Sequence, residues 1–144
     1  MKYEEYETNR HACYKLEYHL VVVAKYRKEV LVDEVREDLI KKTYEIFEEM
    51  WGLTIRAVNT DKDHIHVLFS APPQVQLLKL INNYKTVTSR FLRKNHEAFL
   101  ASYYWKPLFW SDSYCIGAVS DVSEEIVQVY IERQGQKRKA ANPA

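Results

Sequence analysis

The chain has 144 residues, of which 47% are hydrophobic, and this predicts one domain over 1–144 with a substantial core and flexible ends at 1–12 and 137–144. A formal net charge of +1 does not indicate a uniformly basic nucleic-acid binder, and two cysteines are too few for a disulfide scaffold or a Cys-rich zinc site. No hydrophobic run reaches the roughly 18 residues of a membrane-spanning helix and the polar N-terminus lacks a signal-peptide core, so we expect a cytoplasmic protein.

The first half of the chain predicts a strand, a helix and a hairpin, in that order. Residues 13–24 are rich in β-branched and aromatic side chains, the composition of a strand. Asp33 is placed to cap a helix with hydrophobic residues at helical spacing, and Gly52 is placed to end it. Residues 53–59 and 64–70 alternate between polar and hydrophobic side chains around a short polar turn, which is typical of a β-hairpin.

The second half predicts a long helix, a strand and a final helix. The long helix covers about 75–94, where hydrophobic residues recur at helical spacing. Residues 97–112 are aromatic and irregular, and 113–119 read as a strand. Asp121 followed by Glu124 three positions later is the capping-box arrangement of a last helix.

The order of these elements is β-α-β-β-α-β followed by a helix, and it predicts an α+β fold. An antiparallel sheet with two helices on one face, the ferredoxin-like arrangement, fits that order. The additional C-terminal helix, which carries Tyr130, is then free to pack near the other face of the sheet. We expect His64 and His66 on that same face.

Two histidines stand two positions apart in the third predicted strand. Side chains alternate along a strand, so His64 and His66 point to one face while Ile65, Val67 and Phe69 point to the other, into the core. Two neutral imidazoles side by side supply part of a metal site, which needs further ligands from elsewhere in the fold. The spacing alone leaves open the alternative of two solvated or hydrogen-bonded histidines on an exposed face.

Tyr130 and Gln134 are four positions apart on the last predicted helix. That spacing puts both on one helical face, about 6 Å apart along the axis. A carboxamide oxygen is a hard ligand suited to Mg²⁺ or Mn²⁺, and a tyrosine hydroxyl beside such an ion can attack phosphorus. The alternative is that Tyr130, one of eleven tyrosines, is a core residue of an amphipathic helix.

These motifs, together with several others in the same order, resemble those of the single-tyrosine transposases of the HUH nuclease superfamily, the IS200/605 (IS200-like) type. The resemblance extends over about residues 14–136, and the combination of a His-hydrophobe-His motif with a Tyr-x-x-x-Gln helix is specific. The matching blocks are Tyr18–Val21 followed by Lys25–Arg27, Asp63–Leu68, Ala71–Pro73, Lys85 with Ser89–Arg90, Val122–Ile126 and Tyr130–Gln134.

The resemblance implies a reaction, a set of site residues and a partner. His64, His66 and Gln134 would bind a divalent metal ion, Mg²⁺ or Mn²⁺, and Tyr130 would be the nucleophile. The implied enzyme is a DNA transposase that cleaves and rejoins single-stranded DNA at insertion-sequence ends through a 5′-phosphotyrosine and recognises subterminal hairpins. The resemblance also implies a homodimer whose composite sites take the tyrosine helix from the other subunit, and the first predicted strand is the candidate for edge-to-edge pairing.

Charged residues are clustered although the net charge is close to zero. Residues 33–49 are mostly acidic, which predicts an acidic face and a separate basic face. Exposed tyrosine or tryptophan side chains within 103–110 are candidates for stacking on unpaired bases, with core packing of Trp105, Phe109 and Trp110 as the alternative. The candidates for contacts with DNA phosphates are Lys25, Arg27, Lys85, Arg90 and Arg93.

Three other interpretations stay open at this point. One is a related HUH nicking enzyme, such as a replication initiator or a domesticated hairpin-acting transposase, although the last helix has a single tyrosine where such relatives often have two. Another is a non-catalytic ferredoxin-like nucleic-acid-binding module, which needs stacking aromatics where this chain has His64 and His66. A two-histidine phosphoesterase ranks last, because His11, His19 and His96 lack a Ser or Thr two positions later.

Overall fold

The structure of the chain, a computed structural model, describes residues 6–119 and 124–134. Over these ranges, short strands and helices alternate as the hydrophobic pattern predicts. The elements are β1 (Glu7–Thr8), β2 (Cys13–Tyr14), β3 (Glu17–Val23), α1 (Asp33–Tyr44), β4 (Thr54–Thr60), β5 (His64–Ser70), α2 (Leu77–Asn95), α3 (Glu97–Ala101), β6 (Cys115–Ala118) and α4 (Glu124–Gln134).

The main sheet is antiparallel throughout, with the strand order β4-β5-β3-β6. Together with α1 and α2 this is the ferredoxin-like α+β arrangement, which confirms the predicted fold class. The expectation that the first strand of this unit lies at an edge is wrong, because β3 pairs with β5 on one side and with β6 on the other. The four residues Leu20–Val23 are all fully buried, as in an inner strand covered on both faces.

One face of the sheet, which we call the core face, is covered by α1 and α2 and contains the main hydrophobic core. Ile65, Val67 and Phe69 of β5 are fully buried in it, as strand alternation predicts. The Phe47 ring lies against the Phe69 ring with 4.9 Å between centroids, and against the Tyr84 ring of α2 with 5.3 Å. These edge-on aromatic contacts join the helices to the middle of the sheet.

The opposite face, which we call the α4 face, carries the last helix and a smaller hydrophobic cluster. Val21 and Val23 of β3 point to this face and pack against Val127 and Ile131 of α4. Neighbouring residues of one strand therefore support different layers of the molecule. This contact confirms the predicted position of the C-terminal helix.

Element boundaries differ from the predictions at three points. The predicted strand 13–24 is divided, because β2 pairs with β1 in a separate two-stranded hairpin before β3 begins. Helix α1 continues as a π-helical segment to Met50 and stops before Gly52, whose φ of +68° is a left-handed conformation that glycine adopts at little cost. The short helix α3 lies within the segment predicted to be irregular, 97–112.

The two predicted helix N-caps have different outcomes. Asp33 is the first residue of α1 and Val32 occupies the N-cap position, without a side-chain capping hydrogen bond, so the predicted Asp33 cap is wrong. Asp121 lies outside the described residues, as do 1–5 and 137–144 of the two ends that we expect to be flexible. None of the helices in the described part of the chain is long and apolar enough to cross a bilayer.

The N-terminal hairpin is tied to the end of the main sheet by one carboxylate. Glu7 of β1 accepts a hydrogen bond from the Ser70 hydroxyl and forms an ion pair with Arg56 at 3.2 Å. Arg56, at a register shift of β4, also pairs with Glu17 of β3 at 3.3 Å. The hairpin thus closes the end of the sheet away from the histidines, since Glu17 and Ser70 face each other in the register and His64 is at the other end of β5.

Candidate active site

Both histidines of β5 lie on the α4 face, where the sequence predicts them. In the antiparallel register His64 is opposite Val23 and His66 is opposite Val21. These two valines are the residues of β3 against which α4 packs. The helix therefore packs over β3, the strand next to the one that carries the histidine pair.

A carboxylate holds the ring of His64. The Nδ1 atom of His64 is 2.9 Å from Oδ1 of Asp63, and Oδ2 of Asp63 accepts a hydrogen bond from Nε of Arg27 at 3.0 Å. A carboxylate on one ring nitrogen fixes the tautomer and directs the other nitrogen, Nε2, outward as a metal-binding atom. The Arg27 backbone has a φ of +56°, a strained conformation for a residue with a Cβ, and the ion pair with Asp63 helps to hold it.

The ring of His66 is held by a third histidine that the sequence analysis did not select. The Nδ1 atom of His19 is 2.6 Å from Nε2 of His66, and the two ring centroids are 4.8 Å apart. His19 occupies the same face of β3 as Val21 and Val23, so alternation along β3 is the signal that could have identified it. This hydrogen bond orients the His66 imidazole on the α4 face.

Tyr130 and Gln134 are brought together by a serine, again one that the sequence analysis did not select. The Oγ atom of Ser113, just before β6, is 2.9 Å from the Tyr130 hydroxyl oxygen and donates to Oε1 of Gln134 at 3.2 Å. A hydroxyl has one proton, so when Ser113 donates to Gln134 the Tyr130 hydroxyl donates to Ser113. The Tyr-x-x-x-Gln spacing therefore does place both side chains on one helical face, as predicted.

Burial raises the pKa of Tyr130 above its ordinary value, because desolvation disfavours the charged phenolate. The hydrogen bond with Ser113 acts in the opposite direction and lowers this pKa, because the Ser113 hydroxyl can turn from Gln134 and donate to the phenolate, while the nearby Cys115 thiol raises the pKa. Ser113 is thus the described side chain that favours ionisation of the tyrosine.

One described link between the two groups runs through Arg27. Its Nη1 atom donates to the backbone carbonyl of Glu132 in α4 at 3.5 Å, while its Nε atom holds Asp63 beside His64. The guanidinium of Arg27 therefore contacts both the carboxylate that holds His64 and the C-terminal part of the helix that carries Tyr130. In this arrangement α4 rests on the sheet of its own chain.

Two of the predicted DNA-contacting lysines are engaged near Ser113. Lys85 donates to the backbone carbonyls of Ser111 and Asp112 at 2.7 and 3.0 Å, and its half-buried position lowers its pKa by desolvation. Lys25 forms an ion pair with the carboxylate of Asp112 at 3.3 Å. Together they hold the segment that precedes Ser113. Both lysines therefore have contacts within the protein that do not depend on a DNA phosphate.

The remaining candidates for nucleic-acid contact lie farther along α2 and beyond it. Arg90 and Arg93 line a cavity beside α3. Phe109 and Trp110 are buried, so core packing is the right interpretation for them. It is wrong for Trp105, whose side chain is 81% exposed.

The donor atoms on the α4 face fit a divalent cation. Oxygen or nitrogen atoms of Asp61, Asp63 and His64 all lie within 4.8 Å of one another, and His66 adds a second imidazole on the same face. Imidazole nitrogens are more typical ligands of zinc than of Mg²⁺ or Mn²⁺, which prefer hard oxygen ligands. The carboxamide of Gln134 offers an oxygen of that kind. Asp63 contacts His64 at Nδ1, which leaves the Nε2 atom of His64 for an ion, whereas the Nε2 atom of His66 is engaged by His19, so His66 would bind an ion through Nδ1 or after exchanging that contact.

Comparison with known proteins identifies the family. Residues 12–134 match the model of the family described as IS200-like transposases. The chain belongs to this family. The match spans both histidines and the helix with Tyr130 and Gln134, which are the motifs that carried the resemblance.

Relatives of known sequence and structure agree with this membership. The ISDra2 transposase TnpA of Deinococcus radiodurans is 34% identical to this IS200-like transposase over 133 residues, 92% of this chain and 94% of that protein. The crystal structure of a protein of Deinococcus radiodurans R1, assigned as a transposase, aligns with a TM-score of 0.80 and 32% identity over 91% of this chain and 99% of that one. The structure of a REP-associated tyrosine transposase bound to a REP hairpin aligns at 0.53 and 11% identity over 88% and 68%, a likeness of fold alone.

Proposed function

We propose that this IS200-like transposase cleaves and rejoins single-stranded DNA at insertion-sequence ends, with Tyr130 as the nucleophile and a 5′-phosphotyrosine as the intermediate. The observation that carries the proposal is the bridge made by Ser113, which joins Tyr130 to Gln134 on the sheet face of the two β5 histidines. The two hydrogen bonds fix the Tyr130 hydroxyl relative to the Gln134 carboxamide, on the face of the sheet that also carries the two imidazoles.

The proposed reaction exchanges one phosphoester bond for another. The hydroxyl oxygen of Tyr130 attacks the phosphorus of the scissile phosphodiester, and the Oη–P bond forms as the P–O3′ bond breaks. The phenolic proton is lost, and the departing 3′ oxygen takes up a proton to become a free 3′-OH. Attack by a 3′-OH on the phosphotyrosine reverses the steps, forms a new DNA strand and releases Tyr130.

His64, His66 and Gln134 are the proposed ligands of a divalent metal ion, Mg²⁺ or Mn²⁺. Such an ion, when bound, neutralises phosphate charge and orients the phosphodiester for in-line attack. The residues around the ligands set their geometry before the substrate arrives, because Asp63 fixes the ring of His64 and His19 fixes the ring of His66.

Hairpins near the ends of the DNA are the proposed recognition element, and a homodimer is the proposed assembly. The fold likeness to a REP-associated tyrosine transposase that is bound to a REP hairpin supports the first part. For the second, β4 and β6 are the outer strands of the described sheet and can pair with another copy, so that composite sites could take α4 from the partner subunit. Because the proposed substrate is cellular DNA, the cytoplasm is the proposed location.

The experiment is a denaturing-gel assay for a covalent protein–DNA adduct. Labelled single-stranded DNA with the hairpins that flank the gene is incubated with Mg²⁺ or Mn²⁺ and with wild type, Tyr130→Phe or His64→Ala. We expect a metal-dependent adduct in wild type and its loss in both variants. Tyr44→Phe is the matched control, because it removes the hydroxyl of an exposed tyrosine of α1 and should form adduct like wild type.

Each alternative predicts a different gel. Adduct formation that persists in Tyr130→Phe contradicts the assignment of the nucleophile. A related nicking enzyme also forms and reverses the adduct, but it cuts at one flank and does not join the two flanks to each other. A binding module shifts the hairpin on a native gel and forms no adduct under any metal.

A further inference from the structure

A cavity of about 560 Å³ lies beside the C-terminal half of α2, apart from the histidines and Tyr130. Its floor includes Leu100 and Tyr104, and its rim is cationic. Glu97 is the acidic residue of its lining, opposed by four basic side chains. The basic residues are Arg90, Arg93, Lys94 and Lys106.

The rim also holds the most exposed aromatic side chain described in the chain, Trp105. It is 81% exposed, whereas Trp110 is 7% exposed and Trp51 is partly buried with its indole N–H bonded to Asn83 at 3.0 Å. The Nζ atom of Lys106 is 4.7 Å from the Trp105 ring centre. An exposed indole can stack on a nucleobase, and a neighbouring cation can bind the phosphate of the same nucleotide.

Arg93 adds a cation to the cavity lining, and its guanidinium is incompletely hydrogen-bonded. Its Nε atom is shielded from solvent and has no hydrogen-bond partner among the described residues. A ligand in the cavity therefore contacts Arg93 through the atoms that line the cavity, not through Nε. A phosphate oxygen bound there would be stabilised by the positive charge of the guanidinium.

The cavity continues toward Tyr130. A second cavity of about 300 Å³ shares Arg93, Pro107 and Leu108 with the first and reaches Asp112. The next residue, Ser113, contacts the Tyr130 hydroxyl. A chain of nucleotides that starts at Trp105 and follows the two cavities therefore reaches Asp112, the residue before the serine that contacts the Tyr130 hydroxyl.

We propose that these two cavities form one groove that binds an unpaired segment of the DNA, with a base stacked on Trp105 and a phosphate at Arg93 and Arg90. The inference rests on the proposed action on single-stranded DNA and adds the path of the strand to it. Single-stranded DNA is favoured over a duplex because Trp105 can stack only on an open base face, and a duplex offers such faces only at its ends.

The test measures binding separately from cleavage. Fluorescence anisotropy of a labelled oligothymidine of about 12 nucleotides, a length that spans a typical single-strand site, is followed in the Tyr130→Phe background with EDTA present. We expect Trp105→Ala to weaken binding about tenfold, the loss of one stacked base. Arg93→Gln should weaken binding and reduce the salt dependence, the slope of log K against log salt, by about 0.7, one phosphate contact to a single strand.

Matched controls keep the result specific. Trp51→Phe alters a tryptophan outside the groove. Lys41→Gln removes an exposed positive charge from α1 and so changes the net charge by the same amount as Arg93→Gln. Both should bind the oligonucleotide within twofold of the parent. Arg90→Gln repeats the charge test at an exposed residue, in case Arg93→Gln disturbs folding.

Three outcomes would overturn the proposal: Trp105→Ala binding like the controls, an unchanged salt slope in both arginine variants, or a blunt duplex that binds as tightly as the single strand. Failure of the groove is distinguishable from failure of the proposed function. If wild type forms the Tyr130 adduct but the groove variants bind the oligonucleotide normally, the groove proposal is contradicted and the proposed function stands. If Trp105→Ala loses binding but wild type forms no Tyr130 adduct, the proposed cleavage chemistry is contradicted and the groove proposal stands.

Discussion

The two faces of the sheet are built differently although they share the same strands. The core face is filled by large side chains such as Phe47, Phe69 and Tyr84, all fully buried. The α4 face is held by four smaller residues, with Val127 8% exposed and Ile131 4% exposed, and next to them lie imidazoles and hydroxyls. One face therefore supplies most of the hydrophobic stabilisation, and the other presents polar groups that the stable sheet holds in place.

The difference shows that neighbouring residues of β5 have different roles, one in stability and the next in the candidate site. Ile65 and Val67 belong to the core face, and His64 and His66 belong to the α4 face. Substitutions of hydrophobic residues should change the free energy of unfolding, most of all on the core face, and substitutions of the polar side chains on the α4 face should change metal binding or cleavage at nearly constant stability. Four predictions test this division, from the largest expected effect to the smallest.

Phe47→Ala should lower the free energy of unfolding by about 3–5 kcal/mol, because it leaves a cavity between the sheet and α2. Urea unfolding followed by circular dichroism measures the change, and the exposed Tyr44→Ala on α1 is the control, with a loss below about 1 kcal/mol. Adduct yield per folded molecule should be unchanged. A folded, stable Phe47→Ala protein without cleavage would contradict the division.

Ile131→Ala should cost about 2 kcal/mol, the low end for such a truncation, because the cluster under α4 is small. We expect the loss to appear as faster amide hydrogen exchange in α4, with little change in β5. Val129→Ala, an exposed position of the same helix at 49%, should leave exchange unchanged. Equal acceleration in β5 would mean that the two faces unfold as one unit.

Asp63→Asn should weaken the affinity for Mn²⁺ by about 10- to 100-fold, because it removes the charge that orients His64 and pairs with Arg27. Calorimetric titration of the metal measures the affinity, and urea unfolding should show a much smaller change. Asp61→Asn separates two explanations. An equal loss there would mean that the carboxylates bind the ion directly and that ring orientation matters little.

Ser113→Ala should slow adduct formation a few-fold at neutral pH and move the basic limb of its pH profile to higher pH. The pKa of Tyr130 is already raised by burial, and the Ser113 hydroxyl lowers it by stabilising the phenolate. Removing that hydroxyl therefore raises the pKa further, so less phenolate forms at any given pH. Ser102→Ala, which removes an exposed hydroxyl near α3, should keep the wild-type profile, and a shift to lower pH in Ser113→Ala would reverse the assigned role.

Much of the frame follows from patterns that are local in sequence. Alternation in β5 predicts which face each residue occupies, and helical spacing predicts that Tyr130 and Gln134 share a face. Both predictions agree with the structure. The metal and nucleophile roles assigned to these residues stay proposals.

The supports of the site could not be predicted in the same way, because they join distant parts of the chain. His19 is 47 positions from His66, and Arg27 is 36 positions from Asp63. Each is an ordinary residue in its own segment. The wrong expectation of an edge position for the first strand has the same origin, since which strands flank β3 depends on pairing across the whole domain.

The sequence by itself determined the order of the elements, the face of each strand residue and the motifs of the family, because hydrophobic periodicity and motif spacing are properties of a few neighbouring residues. Only the tertiary structure decided that β3 is an inner strand, that Trp105 is exposed, and that Ser113, His19 and Arg27 hold the site together. Those features arise from long-range packing, in which a side chain finds its partner only after the sheet has assembled.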